Sequence, residues 1–277
     1  MTPLSDTLAH TQAVFLDIDG TLIGPSGQMS QPLTHALIGL RQRRPDLPLM
    51  VCTGRPFGGV ASQVAGVLGG PEVPHIFHGG ALTRSLQGIH AAEPLQWSQL
   101  KRSLAQRASM PWATLELYTH DAIFVSTPTP MALGHAQVIG MTHQVEDLEA
   151  VCAAHSIIKM QWLLPEPMLP RLMNAQLPGL FYAPASCDVL PGVSFVTVTL
   201  EGVDKGSAIR GVLGQMAIDP AHAIGVGDST GDVPMLQTVG LPFFMANAPH
   251  TLRSSLAHIP TLPRVEEDGV MGLCEAL

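Results

Sequence analysis

The chain has 277 residues, 46% hydrophobic and 13% charged: ample core material for one large domain or two, and too little charge for a disordered chain. A net charge of -8 excludes the basic face that nucleic acid requires, since the one basic cluster, Arg41, Arg43 and Arg44, reads as a helix terminus. No uninterrupted apolar run approaches membrane-spanning length, so a cytoplasmic protein with no membrane contact is expected.

Ala13–Leu16 is an apolar run predicted to be a buried strand, and it stops at Asp17-Ile18-Asp19-Gly20-Thr21. Two carboxylates at the mouth of a buried strand are costly unless a cation or a shared proton compensates them. An ordinary strand-ending turn is the competing reading. Leu33, Leu37 and Leu40 then recur at helical spacing, residues 47–51 read as a strand ending in Cys52-Thr53-Gly54-Arg55, and Val60, Val64, Val67 and Leu68 repeat the helical pattern. With a further short strand at Ile76-Phe77, this alternation predicts a parallel sheet covered by helices. His75 and His78, three apart on that strand, point to opposite faces and make a poor ligand pair. The 12 histidines are dispersed and read as structural. Cys52, Cys152, Cys187 and Cys274 lack CxxC spacing, so neither a zinc site nor a disulfide framework is expected.

Residues 85–190 change character. A helix is predicted over 97–107, hairpin strands over 114–118 and 122–126, a helix over 144–154 and a strand over 157–164. Pro165, Pro167 and Pro170 punctuate the next stretch, and 193–200 is β-rich. This is the grammar of an α+β insertion that splits one parallel-sheet domain, 1–84 and 191–277, with linkers near Thr83-Arg84 and Pro191-Gly192. The last third resumes the first pattern, with a helix over 205–216, a buried strand over 223–226 stopping at Gly227-Asp228, a helix near Met235, Leu236 and Val239, and a strand over 241–246.

Four predicted strand ends therefore carry polar residues: Asp17 and Asp19, Thr53-Gly54-Arg55, Asp228 with Asp232, and Asn247. In an open parallel sheet, ligands bind outside the carboxyl ends of the strands, so residues distant in sequence converge there. Asp228 and Asp232 align if a helix begins at Ser229, although a plain N-terminal cap uses the same residues. Thr53-Gly54 offers a hydroxyl and an unobstructed N–H, which suit phosphate or simply a turn. Lys205 adds a cation at a helix start, and a solvated lysine is the alternative.

These segments resemble the haloacid dehalogenase superfamily, specifically its Cof-type phosphatases with a C2B cap. The matching residues are Asp17-Ile18-Asp19-Gly20-Thr21, Cys52-Thr53-Gly54-Arg55, Gly202-Val203-Asp204-Lys205-Gly206, Gly227-Asp228-Ser229-Thr230-Gly231-Asp232, Met245-Ala246-Asn247-Ala248 and Glu267-Asp268-Gly269-Val270. The resemblance implies a Rossmann-like α/β core with an inserted α+β cap over 85–190, and a phosphatase acting on a small phosphorylated metabolite such as a sugar or polyol phosphate. It implies Asp17 as nucleophile and Asp19 as acid and base. Mg²⁺ would be held by Asp17, the Asp19 carbonyl and Asp228, with Asp232 orienting the metal's shell or Lys205. Thr53, Gly54, Lys205 and Asn247 would meet the phosphoryl group, and Arg55 the rest of the substrate or a structural salt bridge. His120, Lys159 and Arg171 are candidate specificity residues in the cap. The family usually has Asn at the positions of Gly79 and Gly231. A sugar phosphomutase and a non-enzymatic metabolite-binding protein are the alternative readings, and the sequence does not set the oligomeric state.

Overall fold

The computed structural model describes residues 8–186 and 189–277, so Cys187 lies outside the described residues. β1 (Ala13–Leu16) is buried on both faces, with Ala13 and Phe15 in one apolar cluster and Val14 and Leu16 in another. Burial on both sides is what a strand between parallel neighbours and two helical layers requires. Ser30 caps α1 (Gln31–Arg43) by accepting the Leu33 N–H, and the Leu33, Leu37 and Leu40 stripe is buried as its spacing predicts. β2 (Leu49–Val51) and α2 (Gly59–Leu68) follow. β3 (His75–Phe77) meets the parallel sheet through a single bridge from Ile76 to Cys52. It otherwise pairs antiparallel with β4 (Leu82–Arg84), which pairs with β5 (Ile89–Ala92).

α3 (Trp97–Ala108) leads into β6 (Thr114–Tyr118) and β7 (Ile123–Val125), the antiparallel hairpin expected from the alternation. The sequence pattern assigns no element to α4 (Pro130–Ile139), where Pro130 opens the helix and Thr129 caps it through the Ala132 N–H. The helix predicted over 144–154 is shorter. β8 (His143–Val145) runs parallel to β7, and Asp147 starts α5 (Leu148–Ala154) by accepting the Ala150 N–H. Ladder bonds to β7 outweigh the local helical pattern there.

β9 (Lys159–Pro165), α6 (Leu169–Met173), β10 (Leu180–Ser186) and β11 (Val193–Leu200) complete a six-stranded sheet, ordered β10-β11-β9-β6-β7-β8. Its core gathers Leu117, Trp162 and Val196. Because β11 pairs with both β9 and β10, the boundary expected between 190 and 191 cuts this sheet, which continues to Leu200.

α7 (Lys205–Gln215), β12 (Ala223–Gly227), α8 (Val233–Thr238) and β13 (Leu241–Met245) resume the first sheet, followed by α9 (His250–Ser255), β14 (Thr261–Leu262) and α10 (Met271–Ala276). Its five strands run β14-β13-β12-β1-β2, and every pair is parallel. The strand order reverses between β1 and β12, which opens a crevice at the carboxyl ends of those two strands. Among the described residues no helix is long and apolar enough to cross a membrane.

Candidate active site

Asp17 follows β1 and Asp228 follows β12, so both carboxylates stand at the switch point. Lys205 is the first residue of α7. The Asp204 side chain accepts the Ser207 N–H at 2.7 Å, and the Ser207 hydroxyl accepts the Asp204 N–H at 2.9 Å, which fixes where the helix begins. A lysine at a helix start opposes the helix dipole. Its partners compensate: Nζ lies 2.7 Å from Asp17 Oδ1 and 2.5 Å from Asp232 Oδ1, with all three side chains buried. Asp232 Oδ2 accepts the Asp228 N–H, the Ser229 N–H and the Ser229 hydroxyl at 2.8–3.1 Å. Its carboxylate thus binds Lys205 on one side and shapes the acidic loop on the other.

One ammonium does not balance this cluster. Burial, reinforced by Asp232, raises the Asp17 carboxyl to about 7 despite the opposing pull of Lys205. Burial, followed by the Asp232 and Asp17 carboxylates, raises Asp228 to about 8. For Lys205, burial disfavours the charge, but Asp17 and Asp232 outweigh it and hold the ammonium firmly protonated. Asp17, Asp228 and Asp232 each bring an oxygen within 4.8 Å of the others, and Asp228 Oδ1 is buried without a hydrogen-bond partner. Hard oxygen donors, surplus negative charge and an orphaned buried oxygen fit the Mg²⁺ implied by the family resemblance.

Asn247, expected to meet the phosphoryl group, bonds within the protein. Its Nδ2 donates to the Gly20 carbonyl at 2.8 Å and to Asp228 Oδ2 at 3.0 Å, while its Oδ1 accepts the Val265 N–H at 3.1 Å. Both amide protons are spent inside the protein, so Asn247 steadies Asp228 and the 17–21 loop. Gly79 has φ +69°, a left-handed conformation that Asn also tolerates, and a Cβ at Gly231 would meet Ser229 Oγ at an ordinary 3.5 Å. Neither substitution displaces a carboxylate.

Asp19 stands apart from the buried cluster, with its side chain 53% exposed. Arg55 grips both of its oxygens, Nε at 2.7 Å and Nη2 at 2.6 Å, and Nη1 donates to the Val138 carbonyl on α4 at 2.9 Å. The salt-bridge alternative for Arg55 is therefore realised, and it ties the crevice to the inserted unit. Thr53 Oγ1 accepts the Arg55 N–H, and the Gly79 N–H donates to the Thr53 carbonyl, which fastens this loop to the 78–80 turn. Nothing lies within 4 Å of where a Gly54 side chain would begin.

Of the three residues considered for specificity, Lys159 reaches the loop, with Nζ 3.1 Å from the Gly54 carbonyl. His120 pairs with Asp121 in the hairpin turn, and Arg171 lies over the Trp112 ring. Sequence reasoning missed Asp204 as the residue that sets Lys205, although Asp204-x-x-Ser207 before an apolar stripe signals a capped helix start. It also missed the convergence of Glu116, His135 and His143.

The haloacid dehalogenase-like hydrolase family matches residues 14–273. The chain is 26% identical over 272 residues to an HMP-PP phosphatase of Escherichia coli (strain 55989 / EAEC), covering 92% of this chain and 91% of that one. It is 26% identical over 267 residues to an HMP-PP phosphatase of Shigella boydii serotype 4 (strain Sb227), covering 92% and 95%. Among solved structures, the subclass IIB sugar phosphatase BT4131 superposes with a TM-score of 0.79 at 18% identity, over 96% of this chain and 98% of that one. The phosphatase BT1666 of Bacteroides thetaiotaomicron superposes with a TM-score of 0.78 at 19% identity, over 100% and 99%. The fold, the order of the acidic segments and the family match agree: the chain belongs to the haloacid dehalogenase-like hydrolase family and is a hydrolase.

Proposed function

We propose that this chain is a Mg²⁺-dependent phosphatase that hydrolyses a small, cytoplasmic phosphorylated metabolite through an aspartyl phosphate on Asp17. The observation that carries the reading is Asp17 at the switch point, with the Lys205 ammonium 2.7 Å away and the unpartnered Asp228 oxygen beside it. Asp17 and Asp228 would hold Mg²⁺, which when bound offsets the charge of the phosphoryl oxygens. Asp232 positions Lys205 and the acidic loop rather than the substrate.

In the first half-reaction an Asp17 oxygen bonds to phosphorus as the bond to the leaving-group oxygen breaks, and Asp19 gives that oxygen a proton. In the second, a water oxygen bonds to phosphorus, its proton passes to Asp19, and the bond between Asp17 and phosphorus breaks. Inorganic phosphate leaves and both carboxyl groups return to their starting states. Lys205, the Thr53 hydroxyl and the Gly54 N–H hold the equatorial oxygens, because phosphoryl transfer needs positioning and charge neutralisation above all. Asp19 has to loosen from Arg55 to hold a proton, since the guanidinium occupies both of its oxygens. The six-stranded unit serves as the cap, and it meets the loop that holds phosphate through Lys159, which donates to Gly54, and through Val138, which accepts from Arg55 of that loop.

The test is phosphate release from a panel of phosphorylated metabolites with Mg²⁺, headed by HMP-PP and sugar phosphates, the substrates named for the relatives and one structural neighbour. Turnover is expected to need Mg²⁺ and to vanish in Asp17→Asn while the circular dichroism spectrum is kept. Substantial turnover by Asp17→Asn, or turnover unaffected by chelation, defeats the proposal. Glucose 6-phosphate consumed only with a sugar bisphosphate, without phosphate release, assigns a phosphomutase instead.

A further inference from the structure

Away from the crevice, a second cluster of ligand-type side chains lies inside the six-stranded sheet. Glu116 on β6 is fully buried. His135 on α4 places Nδ1 3.0 Å from its carboxylate, and His143 on β8 places Nε2 2.8 Å from it. The Tyr118 hydroxyl donates to the same carboxylate. One atom from each of Glu116, His135 and His143 falls within 4.8 Å of the other two. Both imidazoles are nearly enclosed, with side chains 6% and 5% exposed.

We propose that Glu116, His135 and His143 form a second metal site, selective for a divalent transition metal of the zinc class and distinct from the acidic crevice. Two imidazoles and one carboxylate are the donor set of His₂Glu zinc centres, and imidazole nitrogen disfavours Mg²⁺, which seeks an all-oxygen octahedron. The spacing is close to that of a coordination sphere. Bonds of about 2.0–2.1 Å in a tetrahedron set neighbouring ligand atoms about 3.3 Å apart, so the 2.8–3.0 Å contacts have to open by only a few tenths of an ångström. Burial opposes ionisation of Glu116, but His135 and His143 outweigh it and hold the carboxyl down at about 2, so the ligand is already anionic.

A metal takes Nδ1 of His135 and Nε2 of His143, so a proton on either atom leaves or moves to the other ring nitrogen. For His135 that nitrogen faces the Gln161 side-chain amide at 3.4 Å, and Gln161 presents its oxygen there only by turning the amide over, which gives up the bond that oxygen accepts from Lys159 Nζ at 2.7 Å. The three ligands come from a central strand, an edge strand and α4, so an ion here clips β8 and α4 onto β6. α4 also carries the Val138 carbonyl that receives Arg55, so the same clip fixes the part of the cap that reaches Asp19.

The test uses the full-length protein stripped by a chelator, then held in excess Mg²⁺ to fill the crevice and titrated with Zn²⁺ by calorimetry, with retained zinc counted by elemental analysis. One zinc per chain is expected in the wild type and in Asp228→Asn. His143→Gln and His135→Asn keep an N–H directed at Glu116 but replace imidazole with a poor ligand, and each is expected to weaken zinc binding at least tenfold, roughly the least that losing support around a metal costs. Wild-type protein loaded with Co²⁺ provides a readout independent of any variant's folding, and the visible bands of four-coordinate cobalt are expected. No zinc retained over Mg²⁺, retention unchanged in both histidine variants, loss of zinc in Asp228→Asn, or an octahedral cobalt spectrum overturns the proposal.

Discussion

Gly20 and Gly27 form a matched pair that isolates the steric demand of the acidic site. Both are left-handed, with φ +72° and +71°, so alanine at either position carries the same backbone strain, about 1–2 kcal/mol. That strain lowers the melting temperature by roughly 2–4 °C per kcal/mol for a chain near this size. The two differ in what a side chain would meet. A Cβ at Gly27 meets nothing within 4 Å, whereas at Gly20 it falls 2.0 Å from Asp228 Oδ2 and 2.5 Å from its Cγ. Reaching an ordinary contact of 3.4 Å takes a retreat of about 1.4 Å, and Asp228 loses its 3.0 Å bond from Asn247. A misplacement of about 1 Å in a catalytic constellation costs about 100-fold in rate. Gly20→Ala is therefore expected to lose about 100-fold in kcat/KM and to need more Mg²⁺ for half-activation. Gly27→Ala is expected to keep both and to melt earlier than wild type by the backbone strain alone, with Gly20→Ala melting earlier still because Asp228 also gives up its bond from Asn247. Phosphate release across a Mg²⁺ series, with thermal melts of both variants, reads the two effects separately. If Gly20→Ala matches Gly27→Ala in rate and Mg²⁺ dependence, the assignment of Asp228 to the metal is wrong.

Lys205→Met removes the cation shared by two buried carboxylates and is expected to cost about 3–5 kcal/mol in urea unfolding. Asp17 already titrates near 7 in the fold, above its usual 3.8, and losing Lys205 raises it further; the folded state then binds more protons than the unfolded chain, so stability falls as pH rises through that window and recovers on acidification. A variant as stable as wild type, or one that is more stable at alkaline pH, contradicts this charge balance. On the acid side, burial holds His75 down at about 4, with Nδ1 accepting the Val51 N–H. Between pH 6.5 and about 4 the unfolded chain takes up a proton that the fold refuses, so stability drops by about 3 kcal/mol as pH falls across that range. His75→Asn keeps an acceptor for Val51 without titrating and is expected to flatten that slope; an unchanged slope assigns the acid sensitivity elsewhere.

The parallel core was legible because its strands are short apolar runs buried on both faces and its helices carry single stripes, as Leu33, Leu37 and Leu40 do. The acidic site was legible because its parts sit where strands stop: Asp17 after β1, Asp228 after β12, Lys205 opening α7. α4 was hidden because its start, Thr129-Pro130, uses the residues of a turn, and only packing against the sheet decides between them. β8 was hidden because three residues carry little pattern and owe their conformation to β7. Asn247 was placed at a strand end, but nothing in the sequence signals that its amide protons turn inward to Gly20 and Asp228, because those bonds join segments far apart in the chain. Glu116, His135 and His143 had no sequence signature at all. They are separated by 19 and 27 positions from Glu116, and only the curl of β6, β7 and β8 beside α4 brings them together.

The covalent step gives the most direct test of the catalytic reading. Wild-type protein mixed with a turned-over phosphate ester and quenched in acid within one catalytic cycle is expected to yield a peptide carrying one phosphoryl group on Asp17, absent from Asp17→Asn. Steady phosphate release with no such adduct, or with the phosphoryl group on another residue, contradicts nucleophilic attack by Asp17.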